Sequence, residues 1–128
     1  MDSRFNHKLK NLKKALLRLQ EGSAGSILSE LEKDGLLQRF EFTFELAWET
    51  LQEFFTDKGL EGIFGPKEVL KKAFELGMIE DQKIWTQMMT DRNLMSHIYD
   101  DKQSKEVFQR IQKTYVGELE KLVATFIK

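Results

Sequence analysis

Residues 38–55, QRFEFTFELAWETLQEFF, decide the fold that the sequence predicts. Apolar side chains recur there at intervals of three and four residues, the spacing of one face of an α-helix. The predicted helix runs from about Asp34 to about Asp57, with an apolar face of Leu37, Phe40, Phe44, Ala47, Trp48, Leu51 and Phe55. Phe42 and Leu46 lie on a different face, so we expect burial on two sides, either within a bundle or against another chain.

The flanking segments also carry helical patterns. In the N-terminal helix the apolar positions are Phe5, Leu9, Leu12, Leu16 and Leu19. Gly22 is predicted to end that helix as a C-cap residue. After the loop 58–66, Pro66 suits the start of a short helix over 67–76, which Gly77 closes. That short helix is expected to bury Val69, Leu70, Ala73 and Phe74.

Two further helices complete the predicted fold. One begins at about Asp81 and carries Ile84, Trp85, Met88 and Met89. The last runs from Lys102 to the C-terminus, with a seam of Phe108, Ile111, Tyr115, Leu119, Leu122 and Phe126. Long helices with short connections predict an all-α protein, an antiparallel four-helix bundle with one or two extra short helices, in a single domain over 1–128.

Composition excludes several classes of function. With 20 basic and 21 acidic residues, the chain has no overall attraction to nucleic acid or to an acidic membrane. The absence of cysteine excludes disulfides and thiolate chemistry. No apolar run approaches the length of a membrane span or a signal peptide, so a cytoplasmic protein without a membrane partner is expected. The two histidines stand 90 residues apart, at positions 7 and 97, so no metal site and no cofactor is predicted.

Acidic side chains recur every fourth residue on the long helix. We call this set the acidic ladder: Glu41, Glu45, Glu49, Glu53 and Asp57. Like charges at this spacing together cost roughly 1–2 kcal/mol unless cations neutralise them. The cations could come from a neighbouring helix of the same chain or from a basic partner that docks there. In the second case Glu41, Glu45, Glu49 and Glu53, with Phe42 and Leu46, are the candidate partner-binding residues.

The segment DRNLMSHIYDD, residues 91–101, concentrates polar residues able to perform chemistry. At about 100° per residue, Asn93 and His97 share a helix face, whereas Arg92 and His97 are about 140° apart. A site that uses Arg92 and His97 therefore needs a break after Met95 or Ser96, or a second copy of the chain. A capping box from Asp100 to Gln103 would provide such a break by opening the last helix.

Two interpretations of this segment remain open. His97 near a helix C-terminus would be favoured in its protonated form and could act as a general acid, while Arg92 could stabilise charge on a phosphate. Alternatively, Arg92 and Tyr99 anchor helix ends, and His97 is a hydrogen-bonded histidine at a helix–helix contact.

The residues Arg92-Asn93-Leu94-Met95-Ser96-His97-Ile98-Tyr99 match the R-N-x-x-x-H-x-Y motif of the HEPN superfamily. Residues 38–55 also resemble the second helix of the HEPN proteins called nucleotidyltransferase substrate-binding proteins. GPKEVLKKAFELGMI, residues 65–79, followed by W-x-x-M-x-x-x-R-N, is similar to the next part of that family. The resemblance covers residues 37–101 well, and the flanking helices by length and pattern.

The resemblance implies a small helical bundle that forms a homodimer and binds a minimal nucleotidyltransferase encoded nearby. Many HEPN proteins are metal-independent ribonucleases whose Arg and His meet across a dimer cleft. By this resemblance Arg92 and His97 would be the catalytic pair and Asn93 a polar supporter. Tyr99 would accept AMP from the partner enzyme, as in toxins of the superfamily that are silenced in this way.

Three functions follow as alternatives. The first is a binding subunit of a minimal nucleotidyltransferase, the HEPN half of a toxin–antitoxin-like pair. The second is an active ribonuclease toxin that uses Arg92 and His97, with RNA or a nucleotide as its ligand. The third is a helical scaffold without chemistry.

Overall fold

The computed structural model describes residues 3–25, 29–94 and 101–127, with the side chain of Asp101 excepted. Within these ranges the chain forms α1 (Arg4–Ser23), α2 (Glu30–Asp57), α3 (Gly65–Glu75), α4 (Gln82–Leu94), α5 (Asp101–Arg110), a π-helical turn (Ile111–Tyr115) and α6 (Val116–Ile127). None of the described residues forms a β-strand. The all-α prediction is therefore confirmed.

Three aromatic rings show how the long helices are oriented. Phe5 at the start of α1 lies 5.7 Å from Phe54 at the end of α2 and 5.3 Å from Phe126 at the end of α6, measured between ring centroids. Phe54 and Phe126 are themselves 5.7 Å apart. Helix α1 therefore runs antiparallel to both α2 and α6, as expected for a bundle.

The long helix α2 forms the centre of the core, as its apolar spacing predicts. Phe40, Phe44, Ala47, Leu51 and Phe55 are all fully buried. The predicted start at Asp34 is wrong, because α2 begins at Glu30. Ser29 and Glu32 form a capping box there, which satisfies backbone N–H groups at the helix start. The pKa of the Glu32 carboxyl lies below its ordinary value, and the main cause is the hydrogen bond that the Ser29 backbone N–H donates to it.

The sequence predicts that helix α1 ends at Gly22, but the helix continues to Ser23. Gly22 lies within the last turn, and Ala24 is the C-cap residue. A Cβ atom at Gly22 would lie 3.1 Å from Leu36 Cδ1 and 3.2 Å from a guanidinium nitrogen of Arg39. Gly22 is therefore explained by the close approach of α2, and the C-cap prediction is wrong.

The short helix α3 follows its sequence signals more closely. Pro66 lies in its first turn, and Gly77 adopts a φ of +74° just after its end. A positive φ costs glycine little, which explains why this helix stops there. Val69, Leu70 and Ala73 are buried as predicted. The prediction that Phe74 is buried is wrong, because 41% of its surface is exposed.

The last two helical segments frame the polar motif. The Asp81 carboxylate accepts hydrogen bonds from the backbone N–H groups of Lys83 and Ile84 and caps α4, which confirms the predicted start. The predicted C-terminal helix is present from Asp101, but the π-helical turn divides it into α5 and α6.

No helix in the described ranges is long and apolar enough to cross a membrane.

Candidate functional site at the end of helix α4

The structure places the first half of the predicted site in the last turn of α4. Arg92 and Asn93 lie there, just before the helix ends at Leu94. His97, Tyr99, the predicted break after Met95 or Ser96, and Asp100 of the proposed capping box lie outside the described residues. A convergence of Arg92 with His97 therefore stays a prediction.

Arg92 is held against the acidic ladder of α2. Its Nε lies 2.5 Å from Glu45 Oε1, and a terminal nitrogen lies 3.8 Å from Glu41 Oε1. The Arg92 Nε–H makes no directed hydrogen bond within the described part of the chain, so the contact with Glu45 is an ion pair. The other oxygen of Glu45 accepts a hydrogen bond of 3.1 Å from Trp48 Nε1, which fixes the carboxylate.

A second cation neutralises the next ladder residue. Lys8 of α1 lies 3.3 Å from Glu49, and both side chains are about one-third exposed. Three of the predicted partner-binding acids, Glu41, Glu45 and Glu49, thus contact cations of the same chain. This is the arrangement expected if neighbouring helices neutralise the ladder, and it lowers the repulsion that the sequence implies.

The two apolar candidates for partner binding differ in exposure. Phe42 is 59% exposed on α2, whereas Leu46 is 6% exposed and packs in the core of the chain itself. The burial of Leu46 is thus explained without a partner. Glu53, the remaining acidic candidate, is partly exposed near the end of α2.

Asp91, the residue before Arg92, lies at the centre of a buried polar network that sequence reasoning did not find. Arg110 donates two hydrogen bonds of 2.9 Å to the two Asp91 oxygens, through Nε and a terminal nitrogen. The Tyr115 hydroxyl donates a third at 2.5 Å, and the Gln87 amide donates a fourth at 3.1 Å. Asp91 itself is 1% exposed, so every one of these bonds is shielded from water at the acceptor end.

A signal for this network is present in the sequence. Asp91 falls on the same face of α4 as Ile84 and Met88, because residues three and four apart share a helix face. A carboxylate on a core-facing position is rarely tolerated without a partner. That signal points to a buried cation and a hydrogen-bond donor, but it does not say which residues supply them.

The network changes the protonation behaviour of its members. Burial, followed by the hydrogen bond to Asp91, raises the pKa of Tyr115 well above the ordinary value for tyrosine. The hydrogen bond from Arg110 to Asp91 likewise raises the pKa of that arginine. Tyr115 therefore stays a neutral donor and Arg110 a cation throughout the physiological pH range. The ring of Tyr115 also stacks on Phe40, with centroids 5.2 Å apart.

Within the described part of the site, the positive charge of Arg92 could bind an anionic group. The guanidinium of Arg92 is 32% exposed, so a phosphate or carboxylate could approach it only in competition with Glu41 and Glu45. No three His, Asp, Glu or Cys side chains within the described ranges lie where they could jointly hold a metal ion.

Comparison with known proteins gives one family and several relatives. A family model for nucleotidyltransferase substrate binding protein like chains matches residues 7–127. A Haemophilus influenzae protein named probable ribonuclease HepT is 29% identical over 90 residues, which cover 67% of this chain and 62% of that protein. The match thus spans less than two-thirds of the relative's length.

Two solved structures share the fold. A crystal structure from Thermus thermophilus is 32% identical, with a TM-score of 0.84 over 91% of this chain and 99% of that one. A Haemophilus influenzae structure, described as the fold of a substrate binding domain of a nucleotidyltransferase, is 25% identical, with a TM-score of 0.75 over 94% and 99% of the two chains.

Proposed function

Since this chain belongs to the family of nucleotidyltransferase substrate-binding-like proteins, we propose that it is the helical binding subunit of a minimal nucleotidyltransferase. The family match over residues 7–127 carries the proposal, because it spans α1 to α6. In this proposal the chain forms a homodimer in the cytoplasm and acts as the HEPN half of a toxin–antitoxin-like pair.

The environment of Arg92 supports binding over cleavage. A ribonuclease needs its arginine free to stabilise charge that builds up on a phosphate. Here the Arg92 guanidinium faces two carboxylates, Glu45 at 2.5 Å and Glu41 at 3.8 Å. An RNA phosphate would meet their negative charge as it approached, which weakens the electrostatic attraction on which RNA binding depends.

A ribonuclease toxin is the second candidate, and the motif R-N-x-x-x-H-x-Y supports it. Arg92 and His97 would be the catalytic residues, with Asn93 supporting them. Because these two positions diverge by about 140° on a straight helix, the second protomer of a dimer would complete each site. The similarity to a probable ribonuclease gives this candidate further support.

Tyr99 is the candidate acceptor for a nucleotide transferred by the partner. Its phenol lies seven residues after Arg92, close to the same helix face if the helix continued. Transfer of AMP would form a phosphodiester between the Tyr99 oxygen and the α-phosphate of ATP, with pyrophosphate as the leaving group. The transferred group would add negative charge beside Arg92 and His97.

Co-purification with the nucleotidyltransferase encoded beside this gene tests the main proposal. We expect a stable complex from co-expression, and intact RNA when the purified chain is incubated with it alone. Failure to form a complex, at concentrations where both proteins are folded, would contradict the binding-subunit proposal. Cleavage of RNA by wild type but not by the His97→Ala variant would favour the ribonuclease instead.

Intact-mass spectrometry tests the role of Tyr99. After incubation with the partner and ATP, the wild-type chain should gain the mass of an adenylyl group, and the Tyr99→Phe variant should not. Thr56→Ala is the control, because it removes an exposed hydroxyl near the end of α2 and should gain the same mass as the wild type. Modification of the Tyr99→Phe variant would place the acceptor elsewhere.

A further inference from the structure

We propose that Asp91, Arg110 and Tyr115 are positioning residues that hold Arg92 and Asn93 in the orientation needed for binding. The proposal rests on the function proposed above for the Arg92 site, and it adds residues that lie outside the R-N-x-x-x-H-x-Y motif. It also gives a purpose to the π-helical turn between α5 and α6.

The π-helical turn explains how two residues of the last helix reach one carboxylate. Arg110 and Tyr115 are five residues apart, which in an α-helix would place them about 140° from each other. In a turn closed by hydrogen bonds from residue i+5 to residue i, the wider winding brings such residues closer to the same face of the helix. The Val116 N–H donates to Ile111 O in this way, and both Arg110 and Tyr115 contact Asp91 Oδ2.

Asp91 and Arg92 fix the end of α4 from two sides. Consecutive side chains on a helix diverge by about 100°, so the two residues face different neighbours. Asp91 faces the π-helical turn through Arg110 and Tyr115, while Arg92 faces α2 through Glu45. Rotation of this last turn of α4 would have to break one set of contacts or the other.

The chemistry of the network favours positioning over simple packing. Apolar residues of similar size can replace a buried ion pair with little loss of stability, or even a gain. Hydrogen bonds with defined donors and acceptors, in contrast, allow one orientation of the groups that they join. Four donated hydrogen bonds on Asp91 therefore define the rotation of the residue that immediately precedes Arg92.

The test compares Asp91→Asn and Tyr115→Phe with Phe55→Leu in the full chain. Phe55 is fully buried, ten residues along α2 from Glu45, so its truncation should destabilise the core about 15 Å from the site. The first readout is the NMR signal of the Arg92 Nε–H, assigned by its loss in the Arg92→Lys variant. The second is the affinity for the nucleotidyltransferase, and the third is the thermal unfolding midpoint.

Positioning predicts a selective result. Asp91→Asn and Tyr115→Phe should shift the Arg92 signal and weaken the complex on the order of tenfold, as small misplacements of binding groups do. Phe55→Leu should lower the unfolding midpoint while leaving the Arg92 signal and the affinity unchanged. Asp91→Asn should be the more severe of the two, because an amide has only one acceptor oxygen and no charge for Arg110, whereas Tyr115→Phe removes a single donor.

Two results would overturn the proposal. One is an unmoved Arg92 signal in both network variants, which would make the network a core element only. The other is an equal loss of affinity in Phe55→Leu, which would make affinity a consequence of stability. If wild type forms no complex, the binding-subunit proposal fails, while the Arg92 signal alone still decides whether the network positions that residue.

Discussion

Asp91 and Arg92 are neighbours in sequence, and each forms ion pairs, but their surroundings differ. Asp91 is 1% exposed and accepts hydrogen bonds from Arg110, Tyr115 and Gln87. Arg92 is 32% exposed and lies against two carboxylates that are themselves 30% and 42% exposed. One residue is thus enclosed by the last helix, and the other is partly exposed beside α2, with its Nε buried against Glu45.

The difference in burial suits Asp91 to a structural role and is compatible with the binding role proposed for Arg92. Breaking a buried pair leaves a charge without water or a counter-charge, which is strongly destabilising. An exposed pair exchanges its partner for water at little cost, because solvent screens both charges. Asp91 is therefore suited to fix the helix, whereas the proposed function requires Arg92 to exchange Glu45 for an anionic or protein ligand.

Removing the Arg110 side chain should have the largest effect on stability. Arg110→Ala removes two hydrogen bonds and a positive charge from the buried Asp91 carboxylate. Because the Arg110 side chain is itself 35% exposed, water can partly replace it, and we expect a loss of about 3 kcal/mol in the free energy of unfolding, at the low end for a buried pair. Urea unfolding monitored by circular dichroism measures it. Lys113→Ala is the matched control, an exposed cation three residues on, and should change stability by less than about 0.5 kcal/mol. Equal losses would show that Asp91 does not depend on Arg110.

Removing only the Tyr115 hydroxyl should have a smaller effect. Tyr115→Phe keeps the ring stacked on Phe40 but removes one donor from Asp91, which keeps Arg110 and Gln87. A hydrogen bond to a charged group contributes roughly 1.5–3 kcal/mol, and that is the expected loss. The same unfolding measurement checks it. A neutral result would mean that water or another donor replaces the hydroxyl.

The contrast between these residues also shows what the sequence could predict. Regular apolar spacing predicted the long helices correctly, because burial of one face decides their packing. Residues such as Phe74 and Gly22 were misjudged, since exposure and close approach depend on which helices become neighbours. The Ser29–Glu32 capping box was a local signal that the prediction overlooked.

The candidate site likewise has one part that the sequence predicted and one part that it did not. Arg92 and Asn93 could be selected because they belong to a compact motif. The Asp91 network could not, because Arg110 and Tyr115 lie 19 and 24 residues away in sequence. Their convergence also depends on a π-helical turn, which an apolar pattern with the 3.6-residue period does not indicate.

High pH should weaken the buried network around Asp91. The raised pKa of Tyr115 means that the folded state keeps its proton at pH values where the unfolded phenol, with a pKa near 10, loses it. Below about pH 10 both states are protonated, so the contribution of Tyr115 is fully present. Above that pH it declines by about 1.4 kcal/mol for each pH unit.

The difference in stability between wild type and Tyr115→Phe isolates the pH-dependent contribution of the Tyr115 hydroxyl, because both proteins share every other titrating group. That difference should be constant from about pH 8 to about pH 9.5 and should shrink from about pH 10 upward. Unfolding curves collected at several pH values measure it. A difference that stays flat up to about pH 11 would contradict the raised pKa.

Removing the charge of Glu45, the partner of Arg92, should have the smallest effect on stability. It should change the affinity for anions more than it changes the free energy of unfolding. Glu45→Gln removes the charge nearest to Arg92 but keeps a side chain of the same size beside Trp48. Because an ion pair between partly exposed side chains contributes about 1 kcal/mol, the free energy of unfolding should change by about that amount or less. With the competing carboxylate gone, the affinity of Arg92 for inorganic phosphate or a short RNA should rise several-fold, as measured by NMR titration.

Glu49→Gln, which neutralises the partner of Lys8, is the control and should leave anion affinity at Arg92 nearly unchanged. If Glu45→Gln instead weakened binding, Glu45 would orient Arg92 rather than compete for it, and both sides of the α4 end would be positioning contacts.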